Sequence, residues 1–122
     1  MSTAPHLAIG RAAEAAAARH LERAGYRILQ SNFRARGGEL DLVAMDGAAL
    51  AIIEVRYRAS DRCGGGAASI TSGKRRRIVR AARALLATQP ALARLAARFD
   101  VVEVSGPVDA LDCSLIRGAF SL

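Results

Sequence analysis

Apolar residues first recur at helical spacing. Ala13, Ala17, Leu21 and Ala24 fall three to four residues apart, no proline interrupts residues 7–24, and Gly25 stands where a helix C-cap belongs. One amphipathic helix is predicted, with Glu14 seven residues before Leu21 and so near the edge of the buried stripe. The period then shortens to two. The runs 26–33, 39–45 and 50–57 are separated by Arg36-Gly37-Gly38 and Asp46-Gly47, both turn signals, and predict an antiparallel three-strand meander. Residues 59–69, with Gly64-Gly65-Gly66, have no periodicity and are expected to form a mobile surface loop. Over residues 71–88 the helical pattern returns, with Ile78, Ala82 and Leu85 on an apolar face and Arg76, Arg80 and Arg83 on a basic one. Past Pro90 the chain predicts a helical turn at 91–96, a strand at 99–104, a Gly106-Pro107 turn and a last strand at 112–117.

The order helix, three strands, helix, two strands implies a mixed α/β sheet with helices packed on it, because the passage from Tyr57 to Phe99 suits a strand-helix-strand crossover. Its 122 residues make one domain's worth, residues 1–122, without a Pro- or Gly-rich linker between two cores. The longest apolar stretches, such as 48–53, fall far short of the roughly 18 to 20 residues that span a bilayer. With no basic-then-apolar leader at the N-terminus, a cytoplasmic protein without membrane partners is expected. Cys63 and Cys113 lack CxxC spacing and neighbouring histidines, so they read as buried or incidental thiols.

Charge changes the picture. The formal net charge is +7, from 18 basic and 11 acidic residues. Such a surplus attracts polyanions, nucleic acid first. A solubility charge set by codon composition is the plainer account, since 17 of the basic residues are Arg and only Lys74 is Lys. The charge is clustered, however: Arg56, Arg58, Arg62, Lys74, Arg75, Arg76, Arg77, Arg80 and Arg83 face one acid, Asp61, across residues 56–83. The run Lys74 to Arg77 opens a helix and opposes its dipole, a penalty that a bound phosphate would reverse. Tyr26, Tyr57, Phe33, Phe99 and Phe120 are too dispersed for a base-stacking platform, which disfavours single-strand recognition.

The acids are the odd residues out. Alternation places Glu39 and Asp41 on one face of their strand, and Leu50, Ile52, Glu54, Arg56 and Arg58 on one face of the next, so an apolar stripe turns to charge near its C-terminal end. A divalent ion would compensate such a cluster, since hard cations take carboxylate oxygens. The competing reading is cross-strand salt bridges from Asp41 and Glu54 to Arg34, Arg56 or Arg58.

Gly38-Glu39-Leu40-Asp41-Leu42-Val43, Ile53-Glu54-Val55-Arg56-Tyr57-Arg58, residues 70–74, Arg98-Phe99-Asp100-Val101-Val102 and the closing Ala119-Phe120 together resemble the YraN-like bacterial family over almost the whole chain. That family is similar in turn to restriction-endonuclease-like proteins, including archaeal Holliday junction resolvases. The resemblance implies a restriction-endonuclease-like mixed sheet in which Asp41 and Glu54 hold Mg²⁺ or Mn²⁺ and Glu14 completes the acidic cluster. Arg56 takes the place of the superfamily's lysine. Arginine keeps its proton, so Arg56 suits an electrostatic clamp and not a general base, and Lys74 is the candidate for a displaced catalytic lysine.

The expected function is metal-assisted phosphodiester hydrolysis on structured or double-stranded DNA. Glu14, Asp41, Glu54, Arg56 and Lys74 are its catalytic candidates; Arg58, Arg62, Lys74, Arg75, Arg76, Arg77, Arg80 and Arg83 are its nucleic-acid contacts. The rival expectation is a non-catalytic adaptor on a nuclease fold, binding DNA, RNA or a ribosome-associated assembly. Junction-resolving relatives also imply a homodimer.

Overall fold

The computed structural model describes residues 5–58 and 70–120, with side chains described from residue 9 onward. The loop expected at 59–69, with Arg62, Cys63 and the three glycines, lies outside the described residues. Helix α1 (Pro5–Arg23) leads into β1 (Arg27–Ala35), β2 (Gly38–Asp46) and β3 (Ala49–Arg58). Then come α2 (Ser72–Thr88), the short α3 (Pro90–Ala93), β4 (Ala97–Ser105) and β5 (Asp112–Phe120). The strands form one sheet in the order β1-β2-β3-β4-β5. All neighbours are antiparallel except β3 and β4, which run parallel because α2 carries the chain back across one face. This is the mixed α/β order expected from the sequence.

Each face of the sheet has its own cover. Ala13, Ala17 and Leu21 of α1 pack against Leu42, Ala44, Ala51, Ile53, Val102 and Val104. On the other side Ile78, Ala81, Ala82 and Leu85 of α2 pack against Leu40, Val43, Leu50, Ile52, Phe99 and Val101. The alanines let α1 lie close to the sheet, so few rings are needed; Phe99 and Phe120 stack at 4.8 Å between centroids. Helix α1 stops at Arg23 in a Schellman motif: Tyr26 N–H bonds the Leu21 carbonyl, Gly25 N–H bonds that of Glu22, and Gly25 takes φ +100°. Ala24, expected on the buried stripe, is therefore past the helix and exposed, and Ala16 is buried in the stripe instead.

The far end of the sheet is tied by a polar network centred on Asp100, which is fully buried. Its carboxylate accepts from Tyr26 Oη at 2.7 Å, from Arg98 Nε at 2.7 Å and Nη2 at 2.8 Å, and from Gly118 N–H at 2.9 Å. Burial alone would push this carboxyl up; the bonds from Arg98, Gly118 and Tyr26 outweigh it and hold it below the usual range. Arg98 also reaches Asp46 at 2.7 Å, joining β2 to β4. Asp100→Ala removes the shared acceptor, leaving Arg98 with Asp46 and Tyr26 Oη alone and the Tyr26 hydroxyl and Gly118 N–H without their acceptor. A loss of about 3–5 kcal/mol in urea unfolding is expected; a loss under about 1 kcal/mol would show the network to be ornamental. Among the described residues no helix is long and apolar enough to cross a membrane.

Candidate functional site

The alternation of β2 breaks at Asp41. Leu40 and Val43 face α2, whereas Leu42 and Ala44 face α1, so the strand slips phase between residues 40 and 42. The β2–β3 register runs from Asp46↔Ala49 to Leu42↔Ile53 and stops there. At the next step the Asp41 carboxylate replaces a backbone partner: Val55 N–H donates to Asp41 Oδ2 at 2.8 Å. The acid is thus wedged where β2 and β3 part.

Glu54 lies beside it. It is buried, and it points to the α2 side with Leu50 and Ile52. Asp41 is half-buried, and two carboxyls this close repel. Burial first, then the Glu54 charge, push the Asp41 carboxyl up to about 8, against the pull of the Val55 N–H; a hydrogen bond with Glu54 and the Glu14 charge add to the rise. Glu14 comes from α1 and also shifts upward, through burial and the charges of Glu39 and Glu54, opposed by a side-chain hydrogen bond from Asn32.

Lys74 supplies the countercharge: its Nζ is ion-paired with Glu54 Oε2. Helix α2 is set by two local devices. Thr71 is the N-cap, its Oγ1 accepting from Lys74 N–H at 3.1 Å. Gly38 allows the helix backbone to touch β2, since a Cβ there would stand 2.1 Å from the Arg77 carbonyl oxygen. Because Thr71 caps the helix, Lys74 and Arg75 lie in the first turn, and Arg76 and Arg77 fall in the next, where the dipole is weaker than a four-cation first turn supposes.

Gly38, Glu39, Asp41, Glu54, Lys74, Arg77 and Ile78 line one pocket of about 290 Å³. A larger cleft of about 480 Å³, between α1 and the β4–β5 connection, carries Arg19, His20, Arg23, Asp109, Asp112 and Cys113. Its acids are exposed, so it offers no desolvated charge for a ligand to compensate.

The predicted residues separate into groups. Asp41, Glu54, Lys74 and Arg77 meet at the pocket, and Glu14 is near enough for its charge to be felt there. Arg56 is half-buried on the strand that carries Glu54. Arg76, Arg77, Arg80 and Arg83 are exposed along α2. Arg75 is exposed too and lies over the Phe120 ring at 5.2 Å. Arg58 is drawn instead to Glu103, Nε to Oε2 at 2.8 Å with 9% of the arginine side chain exposed, and Arg62 lies outside the described residues. The cross-strand alternative does not hold for the acids: Asp41 takes Val55 N–H, Glu54 takes Lys74, and Arg34 pairs with Glu39 at 3.2 Å. A sequence reading misses Asn32, which stands opposite Asp41 in the β1–β2 register and adopts φ +54°. Asparagine tolerates that region, and its presence within a strand-like run was the available signal.

The sequence pattern of the family described as "Uncharacterised protein family UPF0102" matches residues 13–104, a span that includes Glu14, Asp41, Glu54, Arg56 and Lys74. A UPF0102 protein of Xanthomonas campestris pv. campestris is 55% identical over 113 residues, 93% of this chain and 91% of the relative. One from Xylella fastidiosa is 50% identical over 113 residues, 93% and 92%. Another, from Dechloromonas aromatica, is 53% identical over 97 residues, 80% and 78%. Matched in both its pattern and nearly its full length, this chain belongs to the UPF0102, or YraN-like, family.

Proposed function

We propose that this chain is a divalent-cation-dependent endonuclease-like protein, cytoplasmic, that holds structured or double-stranded DNA by its backbone and hydrolyses phosphodiester bonds. The observation that carries the reading is the meeting of Asp41, Glu54 and Lys74 in one pocket beneath the exposed arginines of α2. The donor set fits a hard dication. Asp41 and Glu54 are neighbouring carboxyls that disfavour ionising together, and a dication taking the place of the Asp41 proton would relieve that repulsion. Among the described residues no three His, Cys, Asp or Glu side chains form a ready cage. Mg²⁺ or Mn²⁺ held by one or two carboxylates, with water and phosphate completing its shell, suits this arrangement.

When bound, the cation supplies Lewis acidity at the scissile phosphate and a water of lowered pKa. The chain's own residues do the rest. Asp41 and Glu54 hold the cation, and Glu14 adds negative charge from α1. Arg77 and Lys74 border the pocket and bring positive charge to the phosphate oxygens, with Arg76, Arg80 and Arg83 extending the rim along α2. Arg56, always protonated, serves as a clamp and moves no proton.

The test incubates the protein with duplex, single-stranded and four-way-junction DNA and with RNA, with and without Mg²⁺ or Mn²⁺. Cation-dependent cleavage of duplex or junction, lost in Asp41→Ala and Glu54→Ala, is expected. Arg56 favours the second reading, a binding module on a nuclease fold. An inert parent that binds DNA tightly, and gains cleavage as Arg56→Lys, establishes that reading in place of the first.

A further inference from the structure

Lys74 is the single lysine in a chain with 17 arginines, and it is the residue that holds Glu54. The choice of cation has a physical consequence. An arginine fork grips both oxygens of a carboxylate, whereas an ammonium is a compact, well-hydrated point charge on a flexible stem and is released more readily. The two partners also differ in freedom. The Glu54 side chain is only 6% exposed, while that of Lys74 is 42% exposed and has an open path to solvent. Its backbone cannot follow: the Thr71 cap and the contact of Gly38 with the Arg77 carbonyl pin the start of α2, so any movement belongs to the side chain.

We propose that Lys74 is a displaceable counter-ion, holding Glu54 until a divalent cation takes that carboxylate and then turning its freed ammonium to a phosphate oxygen. This rests on the metal-site reading above and adds a coupling to it. A dication on Asp41 and Glu54 balances their two negative charges and leaves the ammonium beside it without a partner. A phosphate supplies that partner. Cation and nucleic acid therefore bind with positive coupling, and by linkage each tightens the other by the same factor. Arg77, which borders the same pocket from the pinned part of α2, stays in place throughout.

Calorimetry with Mn²⁺ in the absence of nucleic acid tests the first half. Lys74→Met is expected to bind Mn²⁺ about threefold to fivefold more tightly than the parent, the factor that a half-exposed ion pair represents, and Lys74→Arg more weakly. Because the chain has one lysine, ¹⁵Nζ-lysine labelling gives one side-chain ammonium signal. That signal should move when Mg²⁺ is added and move again with duplex DNA. The factor by which Mn²⁺ tightens duplex binding, read by anisotropy at once after mixing, should shrink in Lys74→Met. If the parent binds Mn²⁺ but Lys74→Met binds it no more tightly, or if the signal stays still while Mg²⁺ binds, the counter-ion role is overturned and the metal site stands. If the parent binds neither cation at millimolar concentration, both readings fall.

Discussion

Asp41→Asn is expected to be more stable than the parent at pH 7.5, by about 2 kcal/mol or more. The sign follows from which state holds the proton. In the unfolded chain an aspartate titrates near 3.9; in the folded protein burial and Glu54 raise Asp41 to about 8. Between those values the folded state binds more protons, so its stability falls as pH rises from about 4 to about 8 and levels off above. Asparagine keeps an acceptor for Val55 N–H and carries no charge, so this part of the pH dependence vanishes. Urea unfolding of both proteins from pH 4.5 to 8.5 measures it, and coincident curves would refute a desolvated acid pair at this place. Mg²⁺ should narrow the gap, because a ligand of the folded state at ten times its dissociation constant adds about 1.4 kcal/mol to the parent alone. A protein that gives up stability at a carboxyl pair is one in which the pair answers to something other than folding.

The triple replacement of Arg76, Arg77 and Arg80 by alanine should weaken duplex binding by two orders of magnitude or more at low salt, across sequences alike. These side chains are exposed, so folding should be untouched. If each contacts one phosphate, the slope of log affinity against log salt becomes shallower by about 2.7, from about 0.9 per phosphate. Phosphate contacts carry no direct sequence information, so relative affinities among duplexes of the same shape should hold. Fluorescence anisotropy from 50 to 300 mM salt reads both quantities, and an unchanged slope would place the binding surface away from α2.

Much of this protein is legible in one dimension because its signals are local. The alternation of Leu50, Ile52 and Glu54, the turn glycines Gly37 and Gly47, and the spacing of Ile78, Ala82 and Leu85 depend on neighbours a few residues away, so they place the meander and α2 without knowledge of the fold. Asp41 and Glu54 stand out for the same reason: a charge in an apolar run is visible wherever the run folds. What they do to each other is not local. The phase slip at Asp41, the left-handed Asn32 opposite it and the end of the β2–β3 register at Leu42↔Ile53 arise where two strands separate, and simple alternation continues straight through that point on paper. The partner choices were tertiary as well. Arg58 and Lys74 are both cations in a basic stretch, but β4 offers Arg58 the Glu103 carboxylate, while the close approach of Arg77 to Gly38 brings Lys74 over Glu54. Asp100 gave only an acid in an apolar strand; its four donors come from β4 itself, from Tyr26 and from Gly118, and only folding brings the last two to it. Sequence by itself determined which residues carry charge and which face of an element is apolar, since covalent spacing sets both. Tertiary structure decided which charges meet, because an ion pair or a shared proton depends on ångströms between segments far apart in the chain.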